Sequence, residues 1–120
     1  MEVSGMNITI AEDQKMFFSP FRILIEDTNE LNQIADARQK AHGEVTYFDY
    51  DNPDNNYDGW YDFYIDTNGK EVTSMYYESF GSYIDKIELT EEDKVSLIQQ
   101  IVDYYGGEDE YETICEKWRL

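Results

Sequence analysis

The chain predicts an α+β fold, an antiparallel sheet of four to five strands with about three helices packed on one face. Three observations carry that expectation. Apolar residues recur at helical spacing before Gly43 and after Thr90, but at a period of two from Glu44 to Leu89. Glycine punctuates the helical runs, at Gly43 and at Gly106-Gly107. The 120 residues are 41% hydrophobic, enough for one core, so residues 1–120 read as a single acidic α+β domain.

In order, "FRILIED" (21–27) reads as a short apolar strand. "DTNELNQIADARQKAHG" reads as a helix with Asp27 as N-cap, Glu30 three residues on, an apolar stripe of Leu31, Ile34 and Ala35, and Gly43 as the stop. "EVTYFDY", "GWYDFYID", "KEVTSMYYES" and "SYIDKIEL" are rich in aromatic and β-branched residues and read as strands. The Asn-Gly of "TNGK" (67–70) signals a tight hairpin turn. Thr90 opens a second helix with Asp93 in the capping-box position, and Leu97, Ile98, Ile101, Val102 and Tyr105 follow on one stripe. The last helix, "EDEYETICEKWRL", puts Tyr111, Ile114, Cys115 and Trp118 on one face. Its acids come first and Lys117 and Arg119 last, as the helix dipole favours.

Charge is the dominant feature. Twenty-seven acids face nine bases, a net charge of −18. Solubility needs far less, and every excess charge works against folding through self-repulsion. The excess therefore points to a function that uses negative charge, most simply the binding of a basic surface. Residues 44–93 alone hold 14 acids against Lys70 and Lys86. DNA, RNA and anionic membranes are excluded as direct ligands by repulsion. The N-terminal "MEVSGMNITIAEDQK" lacks the basic-then-apolar pattern of a secretory signal, and no stretch approaches the roughly 18 apolar residues of a membrane span. The expectation is a soluble, cytoplasmic protein. A lone cysteine, Cys115, allows neither an intrachain disulfide nor a cysteine-based zinc site.

The densest stretch is "YFDYDNPDNNYDGWYDFYID" (47–66), with six aspartates, eight aromatics and no lysine or arginine. Within it "DNNYDGWYD" resembles the EF-hand-type calcium loop, with Asp54, Asn56 and Asp58 at positions one, three and five, Gly59 at six and Asp62 at nine. That resemblance implies a calcium-binding interaction module ligated by Asp54, Asn56, Asp58 and Asp62, since calcium takes six to eight hard oxygens. The sequence departs from the loop at position twelve, which is Ile65, and in its flanks, which read as strands. Catalysis has little support. Pro53-Asp54 and Glu92-Asp93-Lys94 match the letters of metal-dependent nucleases, but Glu92 and Lys94 fall in a helical first turn and a polyanionic substrate would be repelled. His42 stands at a helix end, and Cys115 lies on an apolar stripe with no histidine near it in sequence. The reading is of a binding protein, not an enzyme, with no cofactor.

On "WYDFYID" a period of two puts Tyr61, Phe63 and Ile65 on one face and Trp60, Asp62, Tyr64 and Asp66 on the other. Aromatic and carboxylate thus alternate outward at about 6.5–7 Å, a dense charged array. The rings, Trp60 and Tyr64, are the expected anchors, and the charges steer. The expected interface is Asp49, Asp51, Asp54, Asp58, Trp60, Asp62, Tyr64 and Asp66, extended by Glu91, Glu92 and Asp93 at a helix start. In size, charge and aromatic content the chain looks like the small acidic inhibitors of phages and mobile elements, the DNA-mimic and anti-CRISPR proteins. It is also similar to immunity proteins that neutralise cationic nuclease toxins. These likenesses imply a basic nucleic-acid-binding partner, such as a Cas effector or restriction nuclease, whose groove the protein blocks.

Overall fold

The computed structural model describes residues 6–41, 61–79 and 82–119. Strand β2 (Tyr61–Thr67) lies between β1 (Arg22–Ile25) and β3 (Val72–Ser79), and β4 (Ser82–Ile87) pairs with β3. All three pairings are antiparallel, so the sheet order is β1-β2-β3-β4. Four helices accompany it: α1 (Gln14–Phe17), α2 (Asn29–Ala41), α3 (Glu91–Tyr104) and α4 (Glu108–Arg119). The fold is therefore α+β with a four-strand sheet. "EVTYFDY", expected as a further strand, lies outside the described residues.

One face of the sheet is apolar because strand side chains alternate. Ile23, Ile25, Phe63, Ile65, Met75, Tyr77 and Ile87 share a core with Leu31 and Ala35 of α2, Leu97 and Ile101 of α3, and Tyr111 and Cys115 of α4. Full burial of such side chains contributes about 1.5–3 kcal/mol each. Tyr61, Phe63 and Tyr77 meet as tilted and edge-on rings within that core.

Local chemistry sets the element ends. Thr90 and Asp93 form the expected capping box on α3, hydroxyl to backbone N–H and carboxylate to backbone N–H, both at 3.1 Å. On α2 the cap is Thr28, whose hydroxyl accepts from the Leu31 N–H, rather than Asp27. The Asp27 carboxylate instead accepts from the Asn32 side chain at 3.0 Å. Gly106 and Gly107 hold φ of +104° and +113° between α3 and α4, backbone that side chains disfavour. The β2–β3 turn centres on Gly69-Lys70, since Thr67 pairs with Val72 and the Asn68 N–H donates to the Glu71 carbonyl at 3.1 Å. Asn68 closes it by accepting from the N–H groups of both Lys70 and Glu71, and Gly69 takes φ +93°. On α4, Tyr111 and Cys115 are buried as expected, but Trp118 is 55% exposed. Arg119 makes the final contact in its place, donating to the Asn68 carbonyl and lying over the Phe21 ring.

The outer edge of β1 is closed. Ala11 donates to the Leu24 carbonyl, Glu26 donates to the Thr9 carbonyl, and the Leu24 N–H donates to the Gln14 side chain. An edge strand satisfied in this way has no free backbone to pair with another chain.

Candidate acidic interface

The other face of the sheet carries the polar alternation. The register sets three rows across it: Arg22, Asp66 and Ser74; then Leu24, Tyr64, Tyr76 and Lys86; then Asp62 opposite Glu78. Directly opposed side chains stand about 4.5–5.5 Å apart, so like charges there repel. Asp62 and Glu78 are such a pair.

The middle row differs from the expected open grid. Tyr64 is 7% exposed. The Arg22 guanidinium lies 4.1 Å from its ring centre, Tyr76 stacks on it at 5.5 Å, and Phe18 leans against it at 6.0 Å. Tyr64 is thus a covered scaffold, not the exposed anchor its alternation predicts. Arg22 also donates to the Glu78 carboxylate at 3.0 Å, while its Nε is buried with no hydrogen-bond partner among the described residues. The Tyr76 hydroxyl donates to Asp66 at 3.2 Å. Burial, and after it the Asp66 charge, pushes the Tyr76 hydroxyl up to about 12. Burial also raises the Asp66 carboxyl, against the opposing pull of the Tyr76 hydrogen bond and Arg22. Around Arg22, then, charge is locally compensated.

At the far end of the strands the acids crowd, although Glu78 there is paired with Arg22. Asp62 is exposed on its strand, yet its carboxyl is raised first by burial, then by Glu78, then by Asp27. A hollow of about 390 Å³ opens beside it, lined by Ala11, Leu24, Ile25, Glu26, Asp27, Tyr61 and Asp62. Asp27, Asp62 and Glu78 therefore form an acidic row across three adjacent segments, with Glu26 at the rim.

No family model, curated protein or solved structure matches this chain.

Of the expected interface residues, Asp49, Asp51, Asp54, Asp58 and Trp60 lie outside the described residues, as does Asn56 of the calcium loop. Asp62 and Asp66 share the outer face of β2. Glu91, Glu92 and Asp93 form the first turn of α3, where the helix dipole favours them. Asp93 is committed to the capping box and Glu91 lies 3.8 Å from Lys94. Glu91 also lines a hollow beside the β2–β3 turn with Lys70, Glu71, Val72 and Lys94, a mixed-charge setting rather than an extension of the acidic row. Among the described residues, no group of three or more potential ligands is placed to hold a metal. Nor is any helix there long and apolar enough to cross a membrane. Cys115 is buried, and burial raises its thiol, the opposite of an activated nucleophile.

Sequence reasoning missed Asp27, Glu78 and Arg22. The signal for Glu78 was present, since it alternates with Tyr76 in "MYYES", but only the strand register shows what it opposes.

The raised Asp62 carboxyl has a sign. A carboxyl that binds its proton more tightly in the folded chain than in the unfolded one favours folding as it protonates. Stability is therefore expected to increase as pH falls from neutral into the carboxylate range, and to be lost again as pH rises through the folded-state value. Melting temperature against pH for wild type and Asp62→Asn checks this. The variant is expected to be slightly more stable at neutral pH, by a few tenths of a kcal/mol for one relieved cross-strand repulsion, and to show a flatter pH profile. An Asp62→Asn chain less stable than wild type at neutral pH would contradict the reading.

Proposed function

We propose that this protein is an acidic inhibitory binding protein whose carboxylate-bearing sheet face occupies the nucleic-acid groove of a basic enzyme. The observation that carries the reading is the acidic row Asp27, Asp62 and Glu78, in which Glu78 stands opposite Asp62 across β2 and β3 and Asp62 is raised by burial first and by its acidic neighbours after it. Crowded carboxylates cost stability in the free protein, and the cost is recovered when cations approach them in a desolvated contact. Duplex DNA offers one charge per about 1.7 Å of axis to the proteins that bind it. A rigid row at strand spacing, on a chain of net charge −18, presents a comparable field. Arg22 in the row farthest from Asp62 and Lys86 in the middle row place the cations of this face to one side of Asp62 and give it a polarity. A phage or mobile-element anti-defence protein of the DNA-mimic or anti-CRISPR kind has this logic. An immunity protein against a cationic nuclease toxin has the same chemistry, and the identity of the partner separates the two.

The test is capture from a host lysate on the immobilised chain at low salt, with parallel lanes containing excess duplex DNA, single-stranded RNA or high salt. The expected result is a basic nucleic-acid-binding enzyme released in all three lanes. A specific partner that ignores nucleic acid would sink the groove-blocking reading.

A further inference from the structure

We propose that Met16 and Phe17 are the apolar anchor of this interface, seated in an apolar pocket of the same basic partner. The inference rests on the functional reading above. Met16 is 76% and Phe17 71% exposed, the two most exposed large hydrophobic side chains among the described residues. They are nonetheless held in place. Gln14, in the same short helix, is fully buried, with Nε2 donating to the carbonyls of Ser19 and Arg22 and to the Tyr105 hydroxyl, and Oε1 accepting from the Leu24 N–H. The Lys15 ammonium sits 4.9 Å from the Tyr104 ring centre and 5.7 Å from that of Tyr105. The N–H groups of Phe17 and Phe18 are bonded back to the carbonyls of Asp13 and Gln14. Two apolar side chains are thus presented on a pinned backbone, so little ordering entropy remains to be lost on binding. Phe and Met are enriched in interface cores, where they supply energy that charges do not.

What covers them follows from charge. The tip is preceded by Glu12, Asp13 and Lys15, whose ammonium lies over the Tyr104 and Tyr105 rings, and followed by Phe18, which packs on Tyr64 beside Arg22 and its Glu78 partner. An apolar contact on a chain of net charge −18 fits a basic surface. A second copy would bring −18 against −18, and an anionic membrane would repel it. The anchor also replaces the Tyr64 ring, which the fold covers.

The experiment compares wild type, Phe17→Ala, Met16→Ala and Asp62→Asn with Glu78→Gln. The probe is the protein that the immobilised chain retains from lysate at low salt and duplex DNA releases. Phe17→Ala is expected to weaken binding about 30-fold, the size of an interface hot spot, with the salt dependence of affinity unchanged. Its melting temperature should match wild type, because the side chain is exposed. The charge variant should instead flatten the salt dependence. Wild-type affinity in both Phe17→Ala and Met16→Ala, with loss in the charge variant, overturns the anchor and leaves the interface standing. Wild-type affinity in the charge variant, or capture of no such protein, overturns the functional reading and the anchor with it. A wild-type dimer in sedimentation that becomes monomeric in Phe17→Ala makes a second copy the occupant and also overturns the proposal.

Discussion

Neutralising Asp62 and Glu78 together, as Asp62→Asn with Glu78→Gln, is expected to lower affinity for the basic partner by about 100-fold, because charges paired across a desolvated contact contribute on the order of 1.5 kcal/mol or more each. The matched variant Glu88→Gln with Glu116→Gln removes the same charge from exposed positions outside the row of Asp27, Asp62 and Glu78, and is expected to shift affinity by less than about threefold. The contrast matters because net charge is equal in the two proteins. A polyelectrolyte that binds through its total charge would respond alike to both. Removing Asp62 relieves a repulsion, while removing the Glu78 charge weakens an ion pair in which the Arg22 side chain is 41% and the Glu78 side chain 14% exposed. Gln at position 78 keeps an oxygen that can accept from Arg22. Affinity measured against salt, beside melting temperature, separates these effects. Equal losses in both double variants would end the case for a localised site.

The largest effect on stability is expected at Gln14. Gln14→Ala removes a buried amide that satisfies the Leu24 N–H, two backbone carbonyls and the Tyr105 hydroxyl. Buried groups left without partners cost about 1–3 kcal/mol each, and water can re-satisfy some of them through the new gap, so a loss of about 3 kcal/mol is expected. Gln14→Glu sharpens the point. It keeps an acceptor for Leu24 but turns an oxygen toward three oxygens, and should be at least as damaging although its shape is nearly the same. Both should also speed amide exchange at Phe17 and Phe18, since the tip is tied to β1 through this side chain. Urea unfolding of the variants gives the free energies. A Gln14→Ala chain within about 1 kcal/mol of wild type would mean that the clamp contributes no more than an ordinary hydrogen bond.

Much of the fold was legible because its signals are local. The period of two in "YDFYID" and "VTSMYYES", the Thr90–Asp93 capping box and the paired glycines each act within a few residues. What sequence could not supply was register. A two-residue turn at Asn68-Gly69 would have set Asp62 opposite Met75, a carboxylate against a core side chain. A turn one residue later, at Gly69-Lys70, and the irregularity between Asp66 and Thr67 set it opposite Glu78 instead. The acidic row is a product of that offset. Tyr64 shows a second limit. Alternation fixes which face a side chain takes but not what lies over it, and Arg22, Phe18 and Tyr76 arrive there from separate segments. Trp118 fails for a related reason. It continues the Tyr111–Cys115 stripe by spacing, but Arg119 occupies the contact at the β2–β3 turn. The "QKMF" tip gave no periodic signal, because a four-residue helix is too short to show one.

On the proposed function, the acidic face and nucleic acid compete for one groove. The direct measurement is displacement: the captured partner is loaded with a fluorescent duplex, and the full chain is titrated in while anisotropy reports the bound DNA. The expected result is complete release of the duplex, with no ternary species by native gel, and a shift of the release curve to higher concentration for Asp62→Asn with Glu78→Gln. A stable complex of partner, duplex and this protein together would contradict it.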